Sequence, residues 1–193
     1  MLVILIGHSG SGKSSVVKEL VNTFKMNRVF IATTRPKRKD DDEEGYVFIN
    51  NDTFNSWKEM GLFTSTSSYR VGDETWKYGT VFAKDTITED DYVVALGAAD
   101  VADLISNNPD ILENTRIFML DCPVSLLMDR CFTRGDEERQ VSMRYLTDQL
   151  RFKLLEMTDL DITHITSQLL MDIYDVEVYP SDLAIQIMAQ LNS

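Results

Sequence analysis

The stretch Leu2–Ser15, "LVILIGHSGSGKSS", joins an unbroken apolar run to a segment of glycine and serine. Apolar residues without polar alternation, Leu2 to Ile6, predict a parallel strand covered on both faces. "SSVVKELVNTF" then predicts a helix with Val16, Val17, Leu20 and Phe24 turned inward. Between them, Gly7 to Ser14 fits the spacing G-x-x-x-x-G-K-[ST], in the strand–turn–helix setting this motif requires. Glycines let the backbone curl so that successive N–H groups converge at a helix N-terminus and form an anion nest. Gly7, Ser9, Gly10, Ser11, Gly12, Lys13, Ser14 and Ser15 are therefore the expected phosphate-binding residues. Lys13 would reach the outer phosphates, and the Ser14 hydroxyl could complete a magnesium shell. The plainer reading, a flexible turn that happens to match, does not explain the flanking strand and helix. A phosphate cradle implies a triphosphate; it does not specify a reaction.

Outward from this point, 193 residues make one domain with room for a small insertion. The formal net charge of −12 opposes general attraction to nucleic acid or an anionic membrane. It leaves room for a local basic pocket, because salt confines such fields to about 10 Å. The opening apolar run is too short for a signal peptide or a membrane span, and a cytoplasmic protein is expected. Cys122 and Cys131 lack metal-ligand spacing and read as buried thiols.

Further strands are expected at Val29–Thr33, Tyr92–Leu96, Arg116–Leu120 and Ile173–Val178. Helices are expected from about Ala98, over Val124–Phe132, over Val141–Met157 with its four leucines, and from Pro180. Five strands separated by helices predict a parallel α/β sheet with right-handed crossovers. From Arg35 to about Thr80 the pattern changes to short strands around a helix, "DTFNSWKEM", with Asp52 as its expected cap. That is a small mixed insertion. Asp121, at the end of "RIFMLD", is the nearest match to an acid facing magnesium, but it reads better as a helix cap. Met119, Met128, Met143 and Met157 read as core filler. His8 is expected to contribute only its backbone, and His164 to lie on a helix surface without a partner.

Two sets of cations stand out. "TTRPKRKDDDEEGYVF" gathers Arg35, Lys37, Arg38 and Lys39 within five positions, ahead of the acids Asp40 to Glu44. "MDRCFTRGDEERQVSMR" sets Arg130 and Arg134 on one face of a helix end, with Arg144 beyond a polar bridge. Opposite-sign neighbours on a loop are often only solvated charge, and the second set could pair with Asp129, Asp136, Glu137 and Glu138. Together with the cradle, however, they form a pattern. "GHSGSGKSS", "TTRPKR…EEGYVF", "YGT" at Tyr78–Thr80 and the arginines 130, 134 and 144 resemble the guanylate kinase family, and the resemblance runs from Leu2 to Leu191.

The resemblance implies a five-stranded parallel P-loop kinase core (1–34 and 81–193), an inserted small mixed α/β domain for the nucleoside monophosphate (35–80) and a short lid (about 132–143). It implies transfer of the ATP γ-phosphate, with magnesium, to a nucleoside monophosphate. Arg35, Arg38, Tyr46, Tyr78 and Thr80 would hold the acceptor. Lys13, Arg130, Arg134 and Arg144 would serve the transfer. No nucleic acid or membrane partner is implied. Asp40–Glu44 reads as a solvated turn.

The family's guanine-reading positions are substituted. Ile31 stands where the family has Ser, Ser65 where it has Glu, and Ala95 and Gly97 where it has Asp-x-Asp. The phosphate grip is kept and the guanine reader is not, so an altered base preference is expected. Asp73 or Glu74 could supply a substitute carboxylate, which would rebuild a GMP and dGMP pocket; Trp57 or Trp76 could stack on a base. Two further readings are a kinase of ribosyl bisphosphates and a non-catalytic guanylate-kinase-like module that binds phosphopeptides. The intact nucleotide motifs oppose the first, and the intact cradle opposes the second.

Overall fold

The computed structural model describes residues 1–38, 45–82, 89–166 and 179–193. In β1 (Leu2–Ile6) every side chain is buried. The run must be apolar throughout because consecutive side chains feed two separate cores. Leu2, Ile4 and Ile6 enter one, and Val3 and Leu5 the other. β1 is the middle of a sheet ordered β2 (Asn27–Arg28), β7 (Tyr92–Ala95), β1, β8 (Thr115–Asp121), β9 (Ile162–Thr166), paired in parallel throughout. On one face α1 (Lys13–Phe24) and α6 (Pro180–Leu191) pack Val16, Val17, Leu20, Leu183 and Ile187 onto the strands. On the other, α3 (Ala98–Asn107) supplies Val101 and Leu104, and α5 (Glu138–Glu156) supplies Phe152 and Leu155.

A second sheet is ordered β4 (Tyr46–Phe48), β3 (Phe30–Thr33), β6 (Glu74–Val81), β5 (Ser65–Val71), and is mixed in direction. The expected strand Val29–Thr33 is thus divided. Val29 N–H bonds Val93 O in the first sheet, while Ile31 N–H bonds Gly45 O in the second. One residue beyond β2 the chain crosses between sheets. α2 (Asn51–Glu59) is capped by Asn50, whose side chain accepts from Thr53 N–H at 2.8 Å, rather than by Asp52. Asp52 lies within the first turn, where its charge suits the helix dipole. α3 ties the sheets together: Asp103 accepts from Thr66 N–H at 2.7 Å, and the Asn108 amide donates to Thr64 O at 3.0 Å.

Other expectations change. The strand at Ile173–Val178 and the charged positions 39–44 lie outside the described residues; the fifth strand among those described is β9. His164 stands on β9, not on a helix, and its Nδ1 is 2.7 Å from Asp121 Oδ2. Asp121 therefore faces the neighbouring strand, and α4 (Val124–Thr133) has no side-chain cap. Met119 is core, but Met143 and Met157 are exposed. Among the described residues no helix is long and apolar enough to cross a membrane.

Candidate active site

The loop between β1 and α1 turns through left-handed backbone at Gly10 (φ 86°) and Gly12 (φ 90°). A side chain at Gly10 would press on Leu127 O, so α4 also limits this position to glycine. Lys13 Nζ donates to Gly7 O at 2.7 Å and His8 O at 2.8 Å. Burial lowers its pKa to about 8, with Asp148 opposing that shift and Arg144 and Arg134 adding to it. The Ser11 hydroxyl is buried without a protein partner. An unpaired donor curled against a glycine turn suits a phosphate oxygen. The His8 ring does more than fill space: it stacks on Tyr145 and Phe152, and Nε2 lies 3.2 Å from the Gln149 amide. Burial, and then Lys13, lower its pKa to about 4. It is neutral at physiological pH and anchors the loop to α5.

This loop forms one end of a cavity of about 630 Å³. The expected phosphate-binding residues from Gly7 to Ser15 all line it, and so do Arg35, Arg38, Tyr46, Tyr78, Arg130, Arg134 and Arg144. Residues more than a hundred positions apart thus face one space, because β3, β4 and β6 meet the C-terminal ends of β1 and β7 there. Arg35 is 6% exposed, held over the rings of Tyr46 and Phe48 at 5.6 and 5.5 Å. Arg38 lies 6.0 Å over Trp76 and pairs with Asp136 at 3.2 Å. Burial lowers the Arg38 pKa first, with Asp136 opposing. The other oxygen of Asp136 pairs with Arg134 at 2.8 Å. One carboxylate therefore joins both cation sets. Arg130 donates to Gly10 O at 3.2 Å.

Four expected residues do not line the cavity. Thr80 and Ser65 are buried against each other, hydroxyl to hydroxyl at 2.9 Å. Asp73 and Glu74 stand at the exposed turn between β5 and β6, where Glu74 accepts from the Trp76 indole at 2.9 Å. Neither acid lines the cavity. Ile31 and Gly97 do reach the cavity wall. Beside them stand residues the sequence reading passed over: Tyr69, Asp100 and Asp148. Asp100 was legible as the third residue of the helix that Gly97 opens, and Tyr69 as sharing a face of β5 with Ser65 and Ser67. Trp76 lines the cavity, whereas Trp57 packs near Phe63.

A parallel sheet with a phosphate nest between its middle strand and first helix, ringed by arginines, defines a P-loop kinase, a phosphotransferase. The guanylate kinase family model matches residues 1–144. Guanylate kinase of Thermotoga maritima is 30% identical over 171 residues, covering 83% of this chain and 76% of that protein. Guanylate kinase of Prochlorococcus marinus is 29% identical over 168 residues, covering 84% and 88%. That of Coxiella burnetii is 32% identical over 147 residues, covering 72% and 67%. The chain belongs to the guanylate kinase family. In fold it is similar to the crystal structure of guanylate kinase from Anaplasma phagocytophilum (TM-score 0.64, 13% identity, 100% of this chain and 84% of that one). It also resembles shikimate kinase from Acinetobacter baumannii (TM-score 0.53, 15% identity, 99% and 92%).

Proposed function

We propose that the protein transfers the γ-phosphate of ATP to a nucleoside or deoxynucleoside monophosphate whose base is not guanine. The observation that carries this is a single cavity in which the cradle and both arginine sets meet while Ile31 and Gly97 line the wall beside them. In this reading residues 35–80 serve as the acceptor domain on a core of 1–34 and 81–193, and residues of about 132–143 as a lid.

The convergent N–H groups of Gly7–Ser15 and the Lys13 ammonium hold the donor phosphates. Arg35, Arg38, Tyr46 and Tyr78 grip the acceptor phosphate, two guanidinium forks and two phenols around a dianion. Arg130, Arg134 and Arg144 close over the moving phosphoryl group and exclude water, which would otherwise compete as acceptor. Transfer of this kind needs positioning and charge stabilisation rather than a general base. The Ser14 hydroxyl, exposed on the first turn of α1 beside the nest, suits a magnesium ion carried by the donor phosphates. When bound, such an ion supplies charge neutralisation. Among the described residues no cluster of three acids, histidines or cysteines offers a separate metal cage, which fits an ion held mainly by phosphate.

The base preference follows from lost partners. A site that reads a base edge through buried polar groups rejects the wrong base by leaving them unpaired. Each charged hydrogen bond to guanine is worth about 1.5–3 kcal/mol, so losing two weakens selection for guanine by about a hundredfold or more. The test is ADP release in the presence of ATP and magnesium across ribo- and deoxynucleoside monophosphates. GMP and dGMP are expected to be poor acceptors. If either outperforms every other nucleotide, the base assignment fails and the kinase assignment survives; if none is phosphorylated, the kinase assignment fails.

A further inference from the structure

The wall of the cavity beyond the acceptor clamp is built differently from a guanine reader. Gly97 opens α3 with φ −85°, a conformation any residue adopts, so its lack of a side chain is not a backbone requirement. The reason is steric: a Cβ built there would run into the Tyr69 hydroxyl oxygen. Tyr69, from β5, therefore occupies the space into which a side chain at position 97 would grow. Its ring meets that of Tyr78 edge to face, centroids 5.6 Å apart, which sets it directly beside the acceptor clamp. The Arg151 guanidinium, from α5, lies 4.5 Å over the same ring. Three residues along, Asp100 is 6% exposed, and its Oδ2 accepts from Gly97 N–H at 3.1 Å. Both Tyr69 and Asp100 line the same cavity as the phosphate cradle.

Resting on the kinase reading above, we infer that Tyr69 and Asp100 are the specificity-determining pair for the acceptor base, and that the base they select is a pyrimidine. The pair presents a hydroxyl donor beside a carboxylate acceptor. Cytosine carries the complement, a ring nitrogen acceptor beside an exocyclic amino donor. Uracil and thymine carry it in the opposite order, a carbonyl oxygen for the hydroxyl beside a ring N–H for the carboxylate. Adenine and guanine have complementary edges too but two rings, and the Tyr69 hydroxyl takes up space at the Gly97 wall, which favours a single ring. The charge states agree with these roles. Burial raises the Tyr69 phenol, which keeps its proton and donates. Burial also lifts Asp100 to about 6, against the lowering pull of the Ser67 hydroxyl and the Gly97 N–H, so above that pH it is an acceptor.

The experiment is kcat/KM for CMP, dCMP, UMP, TMP, AMP and GMP with ATP and magnesium, on the wild-type chain and two variants. The wild type should favour one or more of CMP, dCMP, UMP and TMP over AMP and GMP by about 10–100-fold. Tyr69→Phe keeps the ring against Tyr78 and Arg151 and removes only the donor. It should raise the KM for the preferred pyrimidine nucleotide while leaving the KM for ATP unchanged. Asp100→Asn replaces a carboxylate with a group that can also donate, so the ratio of cytosine to uracil acceptors should fall by about tenfold or more. A merely structural role would lower all acceptors alike and leave that ratio intact. If Asp100→Asn does not fold, Tyr69→Phe alone decides. Preference for a purine, or a Tyr69→Phe enzyme with unchanged acceptor KM, overturns the assignment of this pair but not the kinase. Turnover with no monophosphate overturns both.

Discussion

Lys13 is folded back onto the carbonyl oxygens of Gly7 and His8 in a partly buried position, so its ammonium is held by its own loop. Lys13→Ala should cut turnover by several orders of magnitude while leaving the circular dichroism spectrum unchanged, because it removes charge that stabilises the transferring phosphates. An active variant would remove the cradle from the mechanism. The pH dependence should carry the same signature. The unfolded chain keeps this proton to about 10.5, whereas the native chain keeps it only to about 8. Between those values the unfolded state binds more protons, so stability rises with pH as the buried charge is released. Activity runs the opposite way, since donor binding needs the charge. kcat/KM for ATP should therefore fall above pH 8, and kcat should hold to higher pH, because bound phosphates restore the proton's affinity. In the acceptor clamp, Arg38→Ala should mainly raise the acceptor KM. Arg35→Ala should do the same and also cost about 0.5–3 kcal/mol of stability, since this side chain is buried between Tyr46 and Phe48. Urea melts of the two variants check the contrast.

At the scale of elements, the connection between α4 and α5 brings Asp136 to Arg134 and Arg38 together. Arg134→Ala should lower kcat with little change in acceptor KM, because an arginine that meets charge only during transfer acts on the transition state. An unchanged kcat would take Arg134 out of the transfer step. Elements whose pattern is set by burial on both sides were legible in the sequence: the β1 run, the glycine turn, the β7 and β8 runs, and Pro180 opening α6. Where tertiary context decides, the pattern misled. Val29–Thr33 is one apolar run, yet Val29 and Ile31 bond different sheets, and nothing local marks that change of partner. "ITHIT" carries polar residues, and this hid β9, the last strand of its sheet among the described residues, and with it the His164–Asp121 pair. In α5, Val141, Phe152 and Leu155 turn inward while Leu146, Leu150 and Leu154 stay exposed. The cradle and clamp could be read because each is a local spacing. That Tyr69 meets Asp100 could not, because they come together only through the contact of β5 with α3.

For the molecule as a whole, 31 acids against 19 cations make the cavity an exception to its own surface. Lys13, Arg35, Arg38, Arg130, Arg134 and Arg144 all face one space, and at neutral pH their mutual repulsion is only partly offset by Asp136, Asp148 and Asp129. A bound triphosphate supplies the missing negative charge to the native state alone, since the unfolded chain has neither nest nor clamp. ATP with magnesium at about 100 times its Kd should therefore add about 2.7 kcal/mol of stability. For a chain of this length each kcal/mol moves the midpoint by about 2–4 °C, so the melting temperature should rise by about 5–10 °C. AMP, which cannot span the nest as a triphosphate does, should give a smaller shift at equal concentration, and Lys13→Ala should lose most of the ATP effect while melting near the wild type without nucleotide. A wild-type protein whose melting temperature is indifferent to ATP with magnesium across the millimolar range would mean that the glycine turn, whatever its spacing, is not a working phosphate cradle.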